Sequence, residues 1–480
     1  MKISHYRSFS INCRKLFPGL LLLILLAAGS SLAGDASELR TEVRTDGKIR
    51  EQIRAEDDTL AGIEPSHDNQ APAENKELPE DWQQRLEMLR SVPYLSLSET
   101  EAEETDSSVT LYIPDKTYDG YNFYNSITFR VARLFDMEGR EVHQWQLPPF
   151  GESKKDGIID YSFMLPDGDL MNIRRNSPQR PESVLMRIDW DSNVLWQKDI
   201  PVHHDVTQAP DGTFYTLYRE IKEHRGLRVK FCGIVHLEDG GEEIDRWPTY
   251  ERLDDIMSVL DTRSFLDTVL DSVARGWSPR GHELDAIEMA KGAHGYAYDY
   301  FHMNTVSLLP DNVLESRDDR FREGNLLVCF RNVNQIAVLE RSTYRVLWAW
   351  GEGILERPHH PTLLDNGHFL IFDNGARRRY SRVVEMDPLS GEIVWEYRGT
   401  PPESFFSAGR GSSQRLPNGN TLVCNSDGGQ VFEVTAEGEM VWLWWNPLIK
   451  HRRREALYRM IRWPEELVAP LLSGGRSGMP

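Results

Sequence analysis

Beyond Val109 the chain repeats itself, and a recurring unit constrains a fold more tightly than length or composition does. One half of the unit is an apolar strand entering and leaving a tight turn: FMLPDGDL at 163–170, TQAPDGTF at 207–214, LLPDN at 308–312, TLLDNGHFL at 362–370 and QRLPNGNTLV at 414–423. The other half is a hairpin ending in tryptophan: MRIDWDSNVLW at 186–196, AVLERSTYRVLW at 337–348, VVEMDPLSGEIVW at 383–395 and VFEVTAEGEMVW at 431–442. In each hairpin the Trp follows the turn residue by four, pairing Ser192 with Trp196, Tyr344 with Trp348, Gly391 with Trp395 and Gly438 with Trp442. Asp-Gly and Asn-Gly between alternating apolar residues mark hairpins, because a two-residue turn needs φ > 0 at both central positions.

Two hairpins per unit make four strands, and units of about 40–55 residues have the size of a propeller blade. Segments starting near 110, 159, 202, 302, 357 and 410 give six blades, so 109–447 is expected to form an all-β, six-bladed β-propeller. The first blade is degenerate: ITFRVARLFDMEGREVHQW supplies its outer hairpin and GYNFYN its inner strand. The periodic tryptophans read as core between blades. Residues 250–290 break the repeat with apolar residues at three- and four-residue spacing, an inserted amphipathic helix serving as lid, packing element or subunit contact, which leaves a homodimer open. After Trp445, HRRREALYRMIRWPEELVAPLL reads as a second helical segment, so 448–480 is expected to be a helical tail capping the closing blade.

The N-terminus carries Lys2, Arg7, Arg14 and Lys15, then the apolar run Leu20 to Ala28, then Ser31-Leu32-Ala33. This is the pattern of an export signal, residues 1–33, cut after Ala33, and it places the mature chain in a periplasm or outside the cell. Leu16 to Ala33 also approaches the length of an uncleaved anchor, the one way a membrane would be involved. From 34 to 108 the chain is acidic and poor in aromatics, a largely disordered linker that cannot bury enough apolar surface to offset ordering. Within it, WQQRLEMLRSVPYLSL at 82–97 has helix-like spacing. Asp plus Glu outnumber Lys plus Arg by 75 to 55, a net charge of −20, which argues against nucleic acid as a partner and demands a local positive pocket for any anionic substrate. Cys13 lies in the signal, which leaves Cys232, Cys329 and Cys424. Cys329 and Cys424 each stand five residues after a turn glycine, at equivalent strand positions of different blades, so no structural disulfide is expected.

The repeat superposes residues from different blades. His204 precedes Gly212 by eight and His359 precedes Gly367 by eight. Asn304 stands six before Pro310, as His204 stands six before Pro210, with His302 two residues earlier. Asp160 and Gly411 hold the corresponding places in two other blades. The entrance to an innermost strand lies at the mouth of the central channel, so His204, His302 and His359 converge there, with Arg331 just past the strand GNLLVCF. His203 and His360 are the alternative inward-facing members. Three imidazoles with Asp205 or Asp373 suit a divalent metal, but an inward guanidinium repels one and instead suits a tetrahedral oxyanion. No metal is therefore assigned.

The motifs HHD at 203–205, HMNTVSLLPDN at 302–312, LLVCFRNVNQIAVLE at 326–340, HHPTLLDNGHFLIFDNG at 359–375 and SRVVEMDPLSGEIVWEY at 381–397 resemble the arylsulfotransferase family. Those enzymes are six-bladed periplasmic propellers that move a sulfuryl group between phenols without a nucleotide donor. The resemblance implies that His359 is the nucleophile, transiently sulfated on a ring nitrogen. It implies that His204 and Arg331 hold the sulfuryl oxygens. His302, in the family's His-x-Asn pattern with Asn304, would bind the sulfuryl group and exchange the phenolic proton. Asn304 and Asp205 would then serve the substrate, which is an aryl sulfate or a phenol, and no cofactor is implied.

Two features depart from that pattern. The cysteine pair that forms a disulfide near the active site in characterised bacterial members has no counterpart here. The tract FDNGARRRYSR places Arg377, Arg378 and Arg379 where a glycine-containing loop is expected, which puts the acceptor in question. A hydrolytic variant with water as acceptor, and a propeller that only binds a ligand or protein through its face, are the competing readings.

Overall fold

The computed structural model describes residues 97–101, 108–148, 158–175, 183–260, 262, 264–274 and 297–474, all within the compact unit Ala73–Pro480. The expected export signal, most of the linker with 82–96 of its helix-like stretch, and residues 275–296 of the insertion lie outside the described residues.

Six antiparallel sheets form the blades of a propeller. Blades 2 to 5 are continuous in sequence, with innermost strands Ile158–Met164, Val202–Gln208, Met303–Leu308 and His359–Leu363, each followed outward by three more strands. Blade 6 runs outward from Ser412–Arg415 to Met440–Trp445 and gains Ser108–Tyr112 as a fifth, outermost strand. Blade 1 is built from both ends of the domain: Tyr121–Ser126, Val131–Phe135 and Glu141–Gln146 are its outer strands, and Leu457–Trp463 is its innermost. The ring is thus locked twice, which leaves no open edge between its first and last blades.

That closure corrects two expectations. GYNFYN is the second strand of blade 1 and not the inner one, and Leu457–Trp463 is strand where a helix was expected. An inner propeller strand is covered on both faces, so ALYRMIRW is almost continuously buried and loses the alternation that betrays a strand. Its arginines are tolerated because each meets an acid: Arg459 pairs with Asp205 at 3.1 Å, and Arg462 pairs with Glu433. Among the described residues of the tail only Glu465–Leu472 (α3) is α-helical, and Leu97–Glu101 of the linker is a strand paired with Arg453–Glu455. The insertion supplies Leu253–Leu260 (α1) and Phe265–Ala274 (α2), packed beside an extended hairpin of blade 3 through the His224–Asp267 contact at 2.8 Å.

The turns carry their own logic. Ser192, Tyr344, Gly391 and Gly438 all have positive φ, so the residue four before each Trp is the left-handed turn position. In the Pro-Asp-Gly and Asp-Asn-Gly turns only the glycine is left-handed, and its N–H donates to the carbonyl three residues back, as in Gly168 to Leu165 and Gly367 to Leu364. These are type I turns followed by a left-handed glycine, not two-residue turns. The Asp or Asn side chain accepts the N–H two residues on in each, from Asp169, Thr213, His368 and Asn420. The tryptophans join blades: Trp395 Nε1 donates to Ala436 O at 2.8 Å and Trp442 Nε1 to Met137 O at 2.9 Å, each in the next blade's outer hairpin.

Candidate active site

The inner strands share an irregularity that positions the site. Pairing slips between Ile159 and Tyr161, His203 and Val206, Met303 and Thr305, His359 and Thr362, and Leu457 and Met460. Such a break in register, of the β-bulge kind, re-aims the side chains around it. His204 (φ +63°) and His360 (+45°) lie within two of these slips and His302 (+49°) and Arg357 (+55°) just before two others; all four adopt the left-handed region, a conformation uncommon outside glycine and concentrated at functional sites. In blade 6 the equivalent place is Gly411, φ +149°, where an added Cβ would lie 2.2 Å from the Phe372 ring.

His204 and His302 are brought together, with Nε2 to Nε2 at 3.1 Å. The His204 ring stacks on Tyr458 of the closing strand, centroids 6.0 Å apart. His302 Nδ1 meets Asp299 Oδ2 at 2.8 Å. Burial, aided by the charge of Arg331, pushes His302 down to about 4 against the pull of Asp299. His359 is also buried; its Nδ1 contacts Asn374 Oδ1 at 2.7 Å and Arg357 O at 3.1 Å. Asn374 cannot turn its amide around, because its Nδ2 donates to Ser407 O and Arg410 O, both at 2.6 Å. Two acceptors therefore face Nδ1, which must carry the hydrogen and leaves the lone pair on Nε2. Burial first, then the charge of Arg331, holds His359 well below the ordinary histidine range. At neutral pH it is a neutral, oriented imidazole with its hydrogen on Nδ1.

Arg331 is 5% exposed, and its NH1 donates to Asn332 Oδ1 at 3.1 Å. Among the described residues no carboxylate pairs with it, and its Nε is buried without a partner. A buried guanidinium with no counter-charge is costly unless an anion completes it. A chain of net charge −20 thus carries a buried, locally positive group at this place.

The other expected site residues are placed differently. Asn304 is buried and spans blades: its Nδ2 donates to Pro358 O at 2.9 Å and its Oδ1 accepts from Thr305 Oγ1 at 3.0 Å. Asp205 accepts from Arg459 at 3.1 Å and from the N–H groups of Val206 and Val306, both at 3.2 Å. Both side chains are engaged in holding blades together. His203 Nε2 lies 3.3 Å from Tyr218 O and His360 Nδ1 3.0 Å from Ser413 O, which ties these alternatives to backbone. Asp373 is taken up by Arg378 and Arg382, each at 2.9 Å. Among the described residues no His, Cys, Asp and Glu side chains gather as a metal site, and Cys232, Cys329 and Cys424 are buried free thiols.

The Asp205–Arg459 pair lines a cavity of about 370 Å³ together with Thr207, Ser307, His360, Gln414 and, from α3, Leu467. Sequence reasoning missed Asp299, Asn374, Tyr458 and Arg459. Asp299 stood three residues before His302 and Asn374 inside FDNG, both open to inspection; Tyr458 and Arg459 were hidden by the helical reading of the tail.

A sequence model of the arylsulfotransferase (ASST) family matches residues 183–446. No curated relative matches the chain. Among solved structures, a protein of unknown function from Bacteroides caccae is similar with a TM-score of 0.43 at 13% identity, over 72% of this chain and 98% of that one. A catalytically inactive form of virginiamycin B lyase from Staphylococcus aureus, with quinupristin, gives 0.38 at 11% identity over 74% and 89%. The Dos1 propeller gives 0.35 at 11% identity over 74% and 77%.

Proposed function

The chain belongs to the arylsulfotransferase family, and from that premise we propose that it transfers a sulfuryl group from an aryl sulfate to a phenol through a sulfated His359, with no nucleotide donor. The observation that carries the reading is a buried Arg331, with no carboxylate partner among the described residues, whose charge acts on an imidazole that keeps its lone pair on Nε2.

In the first half-reaction His359 Nε2 forms a bond to sulfur while the sulfur–oxygen bond to the aryl group breaks, and the electron pair leaves on the phenolate. The Nδ1–H bonds to Asn374 and Arg357 stabilise the positive charge that develops on the ring. Arg331 and His204 face the non-bridging oxygens. In the second half the acceptor oxygen attacks sulfur, its proton passes to His302 Nε2, and the nitrogen–sulfur electron pair returns to His359. Dividing one transfer into two lowers each barrier and predicts ping-pong kinetics. The N-terminal sequence fits this chemistry to an exported protein, in a periplasm or outside the cell.

The test is the intact mass of protein quenched after exposure to 4-nitrophenyl sulfate. A sulfuryl adduct on the His359 peptide, absent from His359→Asn, is expected. An unmodified protein that binds aryl sulfate without labelling would replace this reading with a ligand-binding propeller. Sulfate release that is indifferent to added phenol would make water the acceptor.

A further inference from the structure

Beside His302 lies a carboxylate to which the scheme above gives no part. Asp299 ends the short strand Tyr298–Asp299, which runs parallel to Leu227–Leu237 with Asp299 opposite Lys230. Its Oδ2 accepts from Lys230 Nζ at 2.7 Å and from His302 Nδ1 at 2.8 Å, and its Oδ1 accepts from the His302 backbone N–H at 3.1 Å. Burial alone would raise this carboxyl, but Lys230 and then His302 outweigh it and hold it well below the usual carboxylate range.

An ionised carboxylate only accepts, so His302 Nδ1 carries the hydrogen and Nε2 carries the lone pair. Two imidazole nitrogens 3.1 Å apart then share a single proton, donated from His204 Nε2 to His302 Nε2 until a sulfuryl oxygen takes the His204 donor and His302 Nε2 turns to the acceptor's proton. The direction of the whole chain is decided at Asp299. The same residue's backbone carbonyl accepts from Asn332 Nδ2 at 2.7 Å, which turns Asn332 Oδ1 toward Arg331 NH1.

We propose that Asp299, charge-balanced by Lys230, is the positioning residue of this site: it fixes His302 with its hydrogen on Nδ1, so that Nε2 is the base, and through Asn332 it aims Arg331. Lys230 has a distinct part. A buried carboxylate without its ammonium would draw a proton onto His302 and leave an imidazolium, which cannot accept one from a phenol. With it, the carboxylate orients the ring and leaves it neutral. The charged and titratable groups acting on His302 are Asp299, Lys230, Arg331 and His204, with His203 and His359 coupled to it more weakly.

An amide cannot substitute. Three donors face the two oxygens, and in Asp299→Asn the NH₂ opposes one or two of them in either orientation. What Nε2 accepts rests on the sulfuryl-transfer reading, but which nitrogen holds the hydrogen does not.

Nitrogen NMR of the full chain labelled in histidine, without substrate, reads the tautomer directly. Wild type is expected to show His302 protonated on Nδ1 with a lone pair on Nε2, and Asp299→Asn to lose that signature. The kcat for aryl sulfate turnover should fall roughly 10²- to 10⁴-fold at nearly constant KM, by analogy with loss of an orienting aspartate behind a catalytic histidine. Lys230→Met should give a His302 imidazolium near neutral pH and move the activity optimum upward, a readout that stands if Asp299→Asn does not fold. An unchanged tautomer with kcat within about threefold of wild type overturns the proposal. If the tautomer shifts but wild type transfers nothing from any aryl sulfate, the sulfuryl-transfer reading falls and the role of Asp299 in orienting His302 stands.

Discussion

Asp205 offers the sharpest separation between a substrate group and a structural one. It is 3% exposed and sits within the bulge of blade 3's inner strand, where it meets Arg459 on the closing strand of blade 1. Arg459 also lies over the Tyr161 ring, 4.5 Å from its centroid, and the carboxylate outweighs burial to keep the guanidinium charged. Asp205→Asn keeps the volume, so loss of packing is not the cause of any effect. It leaves a buried cation uncompensated and sets an amide N–H against the N–H of Val206 or Val306. Removing one partner of a buried pair costs about 3–5 kcal/mol. In a propeller spanning Ser108 to Leu472 each kcal/mol moves the melting midpoint by roughly 1–2 °C, so a fall of about 3–10 °C is expected. Arg459→Met in the same background should recover part of the loss, with a coupling of roughly 1–3 kcal/mol. Thermal unfolding gives the midpoints and steady-state turnover gives KM. Asp205→Asn melting with the parent while KM for the aryl sulfate rises would falsify the clamp and restore Asp205 as a substrate group.

Arg331→Met should raise stability by about 0.5–2 kcal/mol while abolishing aryl sulfate turnover, because it removes a buried cation that only the substrate balances; denaturant midpoints and rates measured together check this. Asn374→Ala removes one of two acceptors at His359 Nδ1, worth about 1.5–3 kcal/mol as the ring becomes positive, so formation of the histidine adduct should slow roughly ten- to hundredfold in single-turnover mass spectrometry. Acid should destabilise the fold through its buried imidazoles. His203, His302, His359 and His360 are all lowered, chiefly by burial, so below the unfolded-state value of about 6.5 the unfolded chain binds protons that the native state refuses. Stability then falls as pH falls, by up to about 1.4 kcal/mol per pH unit for each histidine, and for His302 the loss ends near 4. Denaturant midpoints from pH 7 to pH 4.5 should show this slope, with a shallower one in His360→Gln; an unchanged slope refutes the assignment of that histidine.

The sequence by itself determined whatever is local and repeated. A left-handed turn position is set by its own residue, so the spacing from Gly212 to His204 and from Gly367 to His359 put these two histidines in one register before any coordinates. The blade count followed from the same periodicity. Only the tertiary structure decided which strand closes the ring, because Leu457–Trp463 is defined by a partner, Tyr121–Ser126, some 340 residues away in the chain, and by burial on both faces that erases its period. It also decided the chemistry of each site group. Asp205 and Asn304 share the inner-strand register with His204, yet a buried arginine and a neighbouring blade's carbonyl claim their polar atoms. Asp299 and Asn374 lie near His302 and His359 in sequence, but only their hydrogen-bond partners show which ring nitrogen each one holds. A spacing can say that side chains converge; what they do on arrival depends on donors and acceptors supplied by distant parts of the chain.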